Sequence, residues 1–259
     1  EIAGERATDK LARVRTEMTS VGARSHVVST LDDIAWLLNV RGNDVAYNPV
    51  FLAYLLLSET EATLFTAGAH LDEATRTHLE RVGVGVAPYE AFTEALSRLA
   101  GPVLVDPDRN SAAIVHQCGD AGTREALQPS TAIKAHKNAT ELAHLRETMR
   151  NDGRAMVRFL HAFEQQVTAG ERVDELSAAN ALRQARAEID DYVSDSFNYI
   201  SGFNGNGAIV HYAADERSAE QISAPGVYLI DSGGQYLHGT TDITRTVAVG
   251  EPPAAARED

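Results

Sequence analysis

Hydrophobic positions along the chain change their period about halfway along. Over residues 8–21, Leu11, Val14 and Met18 recur at helical spacing and lead into the β-prone run SHVVST at 25–30. LDDIAWLLNV (31–40) reads as a short helix, followed by the apolar runs PVFLAYLLL (49–57) and ATLFTA (62–67). LDEATRTHLERVG (71–83) reads as a second helix ending at Gly83, and GPVLVDP (101–107) as a strand running into a turn. Alternation of this kind predicts an α/β domain with helices packed on a sheet.

A polar cluster with Pro129, LQPSTAIKAHKN at 127–138, interrupts the pattern and places a boundary, giving domains at 1–130 and 131–259. Asn138 followed by Glu141 has the form of a capping box. Leu142, Leu145, Met149, Met156, Leu160, Phe163 and Val167 then recur at steps of three, four or seven. That spacing predicts one long amphipathic helix, stopped by Gly170, with Gly153 its weak point. VDELSAANALRQARAEID (173–190) predicts another helix. From Tyr199 onward the runs YISGF, GAIVHYA, GVYLIDSGGQYL and TDITRTVAV read as strands. Two helices followed by hairpin-like strands predict an α+β domain with helices against a curved antiparallel sheet.

The chemistry concentrates in YLIDSGGQYLHGTTDITRTVAVGEP, residues 228–252. Asp231 closes one apolar run and Asp242 opens another, and a carboxylate buried without a partner costs several kcal/mol. Pairing with a bend near Tyr236-Leu237 would set the two aspartates directly opposite, their Cβ atoms roughly 4.5–5.5 Å apart. Carboxylates about 4 Å apart repel by on the order of 4 kcal/mol at an effective dielectric near 20. A pair of divalent ions, held ~3.5–4 Å apart in dinuclear hydrolases, would convert that repulsion into coordination. The other reading makes both aspartates turn residues, since Asp-Ser-Gly is a turn signal and VLVDPD at 103–108 ends an apolar run in the same way.

His211, in NGAIVHY (206–212), keeps two readings: a packed histidine on an apolar strand, or a site residue reached through the glycine-rich GFNGNG (202–207). That glycine run is no phosphate loop, because no Lys-Ser/Thr follows it. His238 falls in the expected bend and needs no further role there. His116, His136, His144 and His161 lack ligand spacing, and Ser196 and Ser201 have no identifiable base.

Composition narrows the classes. A formal net charge of −14 and a pI near 5.0 offer no basic stripe for nucleic acid. The single cysteine, Cys118, forms no intrachain disulfide and fits a reducing compartment, hence a cytoplasmic setting. No apolar run approaches the ~18–20 residues of a membrane span. The N-terminal EIAGERATDKLARVRTEM is a charged helical pattern rather than a signal peptide, and without an initiating Met it suggests a start partway into a longer chain.

NGAIVHY together with 228–252 resembles the catalytic domain of the Xaa-Pro aminopeptidases (aminopeptidase P) of the pita-bread metallopeptidase superfamily. STLDDIAWLLNVRGNDVAYNPVFLAY (29–54) resembles the creatinase/prolidase N-terminal-like, non-catalytic domain that precedes it in the long, three-domain cytosolic form. The resemblance implies an α/β N-terminal domain followed by the first half of an α+β pita-bread catalytic domain. It implies a dinuclear centre of two divalent ions, usually Mn2+, with Zn or Co as alternatives. Asp231 and Asp242 match its first two metal ligands, and His211 matches a histidine that binds substrate and stabilises the tetrahedral intermediate. Three further ligands, a histidine and two glutamates, have no counterpart before Asp259. The implied reaction removes the N-terminal residue from peptides with penultimate proline, through a hydroxide bridging the metals. The implied assembly is a homodimer, and the chain alone is expected to be inactive. Prolidase shares this chemistry and differs in substrate length. Creatinase shares the fold without the ligand set, and a non-catalytic peptidase-like module is the remaining alternative.

Overall fold

The computed structural model describes residues 2–67 and 71–252; the last residues of the expected second domain, 253–259, lie outside them. The chain divides into two compact units. The first comprises Ala3–Val45 and Pro49–Thr140, the second Ala46–Asn48 and the chain from Glu141 onward.

The first unit runs α1 (Ala7–Ser20), β1 (Ser25–Val28), α2 (Leu31–Leu38), β2 (Ala53–Ser58), β3 (Ala62–Thr66) and α3 (Glu73–Arg81). It continues through β4 (Val84–Pro88), α4 (Phe92–Ser97), β5 (Val103–Val105), α5 (Ala112–Gln117), β6 (Thr123–Glu125) and α6 (Pro129–Ala135). The strands form one mixed sheet in the order β4-β3-β2-β1-β5-β6. Alternation sends Val28, Leu55, Leu57 and Leu64 to one face, where Leu11, Val14, Ile34 and Leu37 cover them. Val27, Phe65, Val103 and Val105 face the other way, against Phe92, Leu96 and Ile114. Local signals set the ends: the Asp72 carboxylate caps α3 by accepting from Thr75 N at 2.7 Å, and α2 stops at Asn39, which is left-handed. Asp106, the acid of VLVDPD, is a turn residue that accepts from the Asp108 and Gln128 amides.

The second unit begins with α7 (Ala139–Thr168), a single helix of 30 residues, and α8 (Glu175–Ala187). Gly170, at φ 74°, ends the first as its backbone freedom allows, and a capping box of Asp174 and Ser177 starts the second. The buried stripe of α7 differs from the apolar reading. Leu142 and Met149 are exposed, while Thr148 and Asp152 are buried with Ala155, Met156, Phe159 and Phe163. The apolar pattern takes a step of seven from Met149 to Met156, and Asp152 lies in that gap. Arg186 on α8 makes Asp152 compatible with burial, its Nε 2.5 Å from Oδ1, and the Tyr236 hydroxyl donates to the same oxygen at 2.7 Å.

The strands are β7 (Tyr192–Asp195), β8 (Ile200–Phe203), β9 (Gly226–Ser232), β10 (Gly234–Tyr236), β11 (Gly239–Thr240) and β12 (Ile243–Val249). They form two three-stranded sheets, β12-β9-β8 and β11-β10-β7. Tyr228, Ile230 and Ile243 pack with Phe159, Phe163 and Leu182 of the helices. GAIVHYA, expected as a strand, is not one: a 3-10 turn spans Asn204–Ala208 and an irregular loop follows. Its glycines serve a close approach instead. A Cβ on Gly202 would lie 2.7 Å from the Gly207 Cα, so strand and turn touch backbone to backbone.

Candidate metal centre

One hairpin carries both aspartates and keeps a single register along its length: Leu229 pairs with Thr246, Asp231 with Thr244, Gln235 with Thr240 and Tyr236 with Gly239. Its bend is therefore Leu237-His238, one position later than the sequence suggests. Asp231 faces Thr244 rather than Asp242, and Asp242 falls opposite Gly233. The two acids still share one face, because a two-residue offset preserves the pleat. Diagonal neighbours across a sheet remain within reach of their side chains.

Gly233 makes the offset possible. A Cβ there would meet the Thr241 carbonyl oxygen at 2.0 Å and Ser196 Oγ at 2.2 Å. Ser196 fastens the same point, its amide donating to the Gly233 carbonyl at 3.1 Å and its hydroxyl to that of Thr241 at 2.8 Å. The two strands are thus pinched between the acids, where β9 hands over to β10.

Strand β9 buries Tyr228, Ile230 and Ser232 and turns Val227, Leu229 and Asp231 to its other face. Asp231 sits on the central strand of its sheet and accepts from Thr244 Oγ1 at 2.8 Å, which fixes its carboxylate. Asp242 is exposed. Lost hydration and the neighbouring Asp231 carboxylate, with which it can share a proton, push the Asp242 pKa up. Among the described residues no lysine, arginine or histidine makes an ion pair with either acid.

Two adjacent, unpaired carboxylates are hard oxygen donors of the kind that suit Mn2+ or Mg2+. They fit one side of a metal site only, since no cluster of three or more His, Cys, Asp or Glu residues able to hold an ion occurs among the described residues.

The structure does not put His211 in that pair. It lies on the exposed loop after the 3-10 turn, at the left-handed φ of 56°, between Val210 and Tyr212. Its side chain makes no hydrogen bond or ion pair among the described residues. It is therefore not the packed strand histidine that the sequence allowed. His238 pairs through Nδ1 with Asp191 Oδ2 at 2.9 Å and its ring rests 4.5 Å from that of His144, so it is occupied away from the aspartates. Ser196 and Ser201 donate to backbone carbonyls and have no histidine partner.

Glu175 escaped the sequence reading. It is buried, and its carboxylate gathers the loop that carries His211. Its place in a helical pattern gives no signal, because its partners lie 28 to 45 residues further along.

Residues 1–141 match the creatinase/prolidase N-terminal domain, and residues 143–259 match metallopeptidase family M24. The chain is 41% identical to a probable Xaa-Pro aminopeptidase P of Laccaria bicolor over 96% of its own length and 40% of that protein's. It is 38% identical to Xaa-Pro aminopeptidase 1 of Dictyostelium discoideum over the same shares. In three dimensions it superposes on the X-prolyl aminopeptidase of Caenorhabditis elegans, a cytosolic enzyme with a di-nuclear active site. That match has a TM-score of 0.92 and 31% identity, covering 98% of this chain and 43% of the other. The Xaa-Pro dipeptidase of Bacillus anthracis shares the fold at a TM-score of 0.72 and 20% identity. The chain spans about 40% of the length of the curated relatives it matches. It belongs to the creatinase/prolidase family, with an N-terminal domain of that type followed by the start of an M24 pita-bread metallopeptidase domain.

Proposed function

We propose that the protein containing this chain is a metal-dependent Xaa-Pro aminopeptidase, releasing the N-terminal residue from peptides with proline in second position. The observation that carries this reading is the adjacent Asp231 and Asp242, without a cationic partner among the described residues, on one face of a pinched hairpin within a domain of a metallopeptidase family. Asp231 and Asp242 would hold one side of a pair of divalent ions, Mn2+ being the ion their oxygens suit best, with Zn or Co as alternatives. The chemistry such a pair supplies is Lewis-acid polarisation of the scissile carbonyl and a water acidic enough to act as hydroxide near neutral pH. Thr244 holds the Asp231 carboxylate in place, and Gly233 with Ser196 sets the distance between the acids. His211, exposed and without a side-chain partner among the described residues, would bind substrate and donate to the oxyanion that develops at the attacked carbonyl.

The test uses the protein at the length of its curated relatives, loaded with Mn2+. Cleavage of a Gly-Pro-Xaa tripeptide with release of free glycine, lost in D231N and D242N, supports the reading. Cleavage confined to Xaa-Pro dipeptides would make it a prolidase. Undiminished cleavage in both variants, or none of either substrate by the wild type, would remove it. Two carboxylates are a poor dinuclear site, so the 259-residue chain alone is expected to bind metal weakly and cleave nothing.

A further inference from the structure

Glu175 is fully buried at the first position of α8 and makes no ion pair with any basic residue among those described. Its charge is carried by donors instead. Oε1 accepts from Phe203 N at 2.6 Å and Asn206 Nδ2 at 3.0 Å. Oε2 accepts from the Tyr212 hydroxyl at 2.8 Å, Glu220 N at 3.0 Å and again Asn206 Nδ2 at 3.2 Å. The amino end of the helix adds a favourable dipole. These donors come from the end of β8, the 3-10 turn, the loop after it and the approach to β9, so a single side chain ties together both ends and the middle of the segment 203–220.

The arrangement requires an acceptor on both oxygens. An ionised carboxylate accepts only, whereas a glutamine would turn an NH2 toward the Glu220 amide, donor against donor. A group needed merely to fill space at this point would be cheaper uncharged. His211 stands within this tied segment, one residue before Tyr212 and exposed, and its side chain has no partner among the described residues. Everything that fixes its position comes through the backbone, and the nearest side-chain anchor of that backbone is Tyr212 on Glu175.

We propose that Glu175 is the positioning residue for His211: it holds the 203–220 loop, through Tyr212, in the one conformation that presents the imidazole. The functional half of this rests on the reading of His211 as a substrate-binding residue.

Two variants test it. E175Q breaks the hub, while Tyr212→Phe removes the hydroxyl's contacts with Glu175, the Ser218 carbonyl and Asn206 Nδ2 and leaves the amide donors to satisfy the buried charge, so that its fold is retained. In the 259-residue chain, hydrogen–deuterium exchange at 204–218 should rise about tenfold or more in Y212F, the scale set by the bond to the charged Glu175 alone, and further in E175Q. Amides of α8, β9 and β12 should stay as protected as in the wild type in Y212F. The His211 backbone amide resonance should move toward its random-coil position in both variants. Unchanged exchange in the loop of Y212F, or an even rise across the whole unit, would overturn the proposal.

A cleavage assay separates the proposal from the reading beneath it. In the active peptidase, Y212F should lower kcat/KM in the presence of His211 and have no effect in an H211A background. Equal losses in both backgrounds would overturn the positioning role. An unimpaired H211A enzyme would instead overturn the reading of His211 itself.

Discussion

Two sets of acidic groups in the second unit are built in opposite ways. Asp152 and Glu175 are buried and fully matched, one by Arg186 and the Tyr236 hydroxyl, the other by amide, phenol and side-chain amide donors. Asp231 and Asp242 lie on an open sheet face, receive one hydroxyl between them, and repel each other. The first set uses charge to fix the fold, and its removal should be felt as lost stability. The second costs the fold something, and its removal should be felt as lost ion binding. The difference identifies the candidate site better than the presence of aspartates in apolar strands does.

The largest expected effect lies on the matched side. Asp152→Ala leaves Arg186 charged and buried without its partner, a change that costs about 3–5 kcal/mol. Urea denaturation followed by the second unit's tyrosine signals would measure it, and a loss below about 1 kcal/mol would erase the contrast between the two sets. Next comes the pinch. Gly233→Ala places a methyl against the Thr241 carbonyl and Ser196, and overpacking of this kind costs about 1–3 kcal/mol. It should also spread the hairpin, visible as altered amide shifts at Asp231 and Asp242 and as weaker Mn2+ binding.

The smallest effect lies on the unmatched side, and its sign is reversed. Asp242→Asn should stabilise the metal-free chain at neutral pH, by no more than about 0.5 kcal/mol at so exposed a position. The folded pKa of Asp242 is raised, so the protonated form is favoured by folding. That contribution is fully present below the unfolded value of 3.8 and is lost as pH rises through the folded pKa. The advantage of D242N over wild type should therefore shrink as pH falls from 7 toward 4. An advantage that grows on acidification would mean that Asp242 has a cationic partner.

Much of the architecture was legible because burial obeys simple periods. The helical stripe of α1 follows directly from apolar spacing, and Gly170 stops α7 where its φ requires a glycine. The register of the hairpin was legible only to within one position. SGGQYLHGTT has glycines at 233, 234 and 239, yet the actual turn is Leu237-His238, which lacks the Asn-Gly or Asp-Gly signature. The loop at 204–220 was misread for a different reason. Ala208, Ile209 and Val210 imitate a strand, but left-handed residues at Asn204 and His211 and the distant carboxylate of Glu175 hold the segment in a loop. Asp152 was hidden in plain view as a gap in an apolar pattern, since a buried acid is intelligible only once Arg186 is beside it.

Whether Asp231 and Asp242 form one side of a metal site is decided by Mn2+ titration of the isotopically labelled chain. Paramagnetic broadening reads out even weak occupancy and shows where the ion sits. Broadening should begin at the amides of 230–233 and 241–244 and disappear from them in the D231N/D242N double variant. Broadening distributed over the acidic surface, unchanged by that double substitution, would contradict a metal site there.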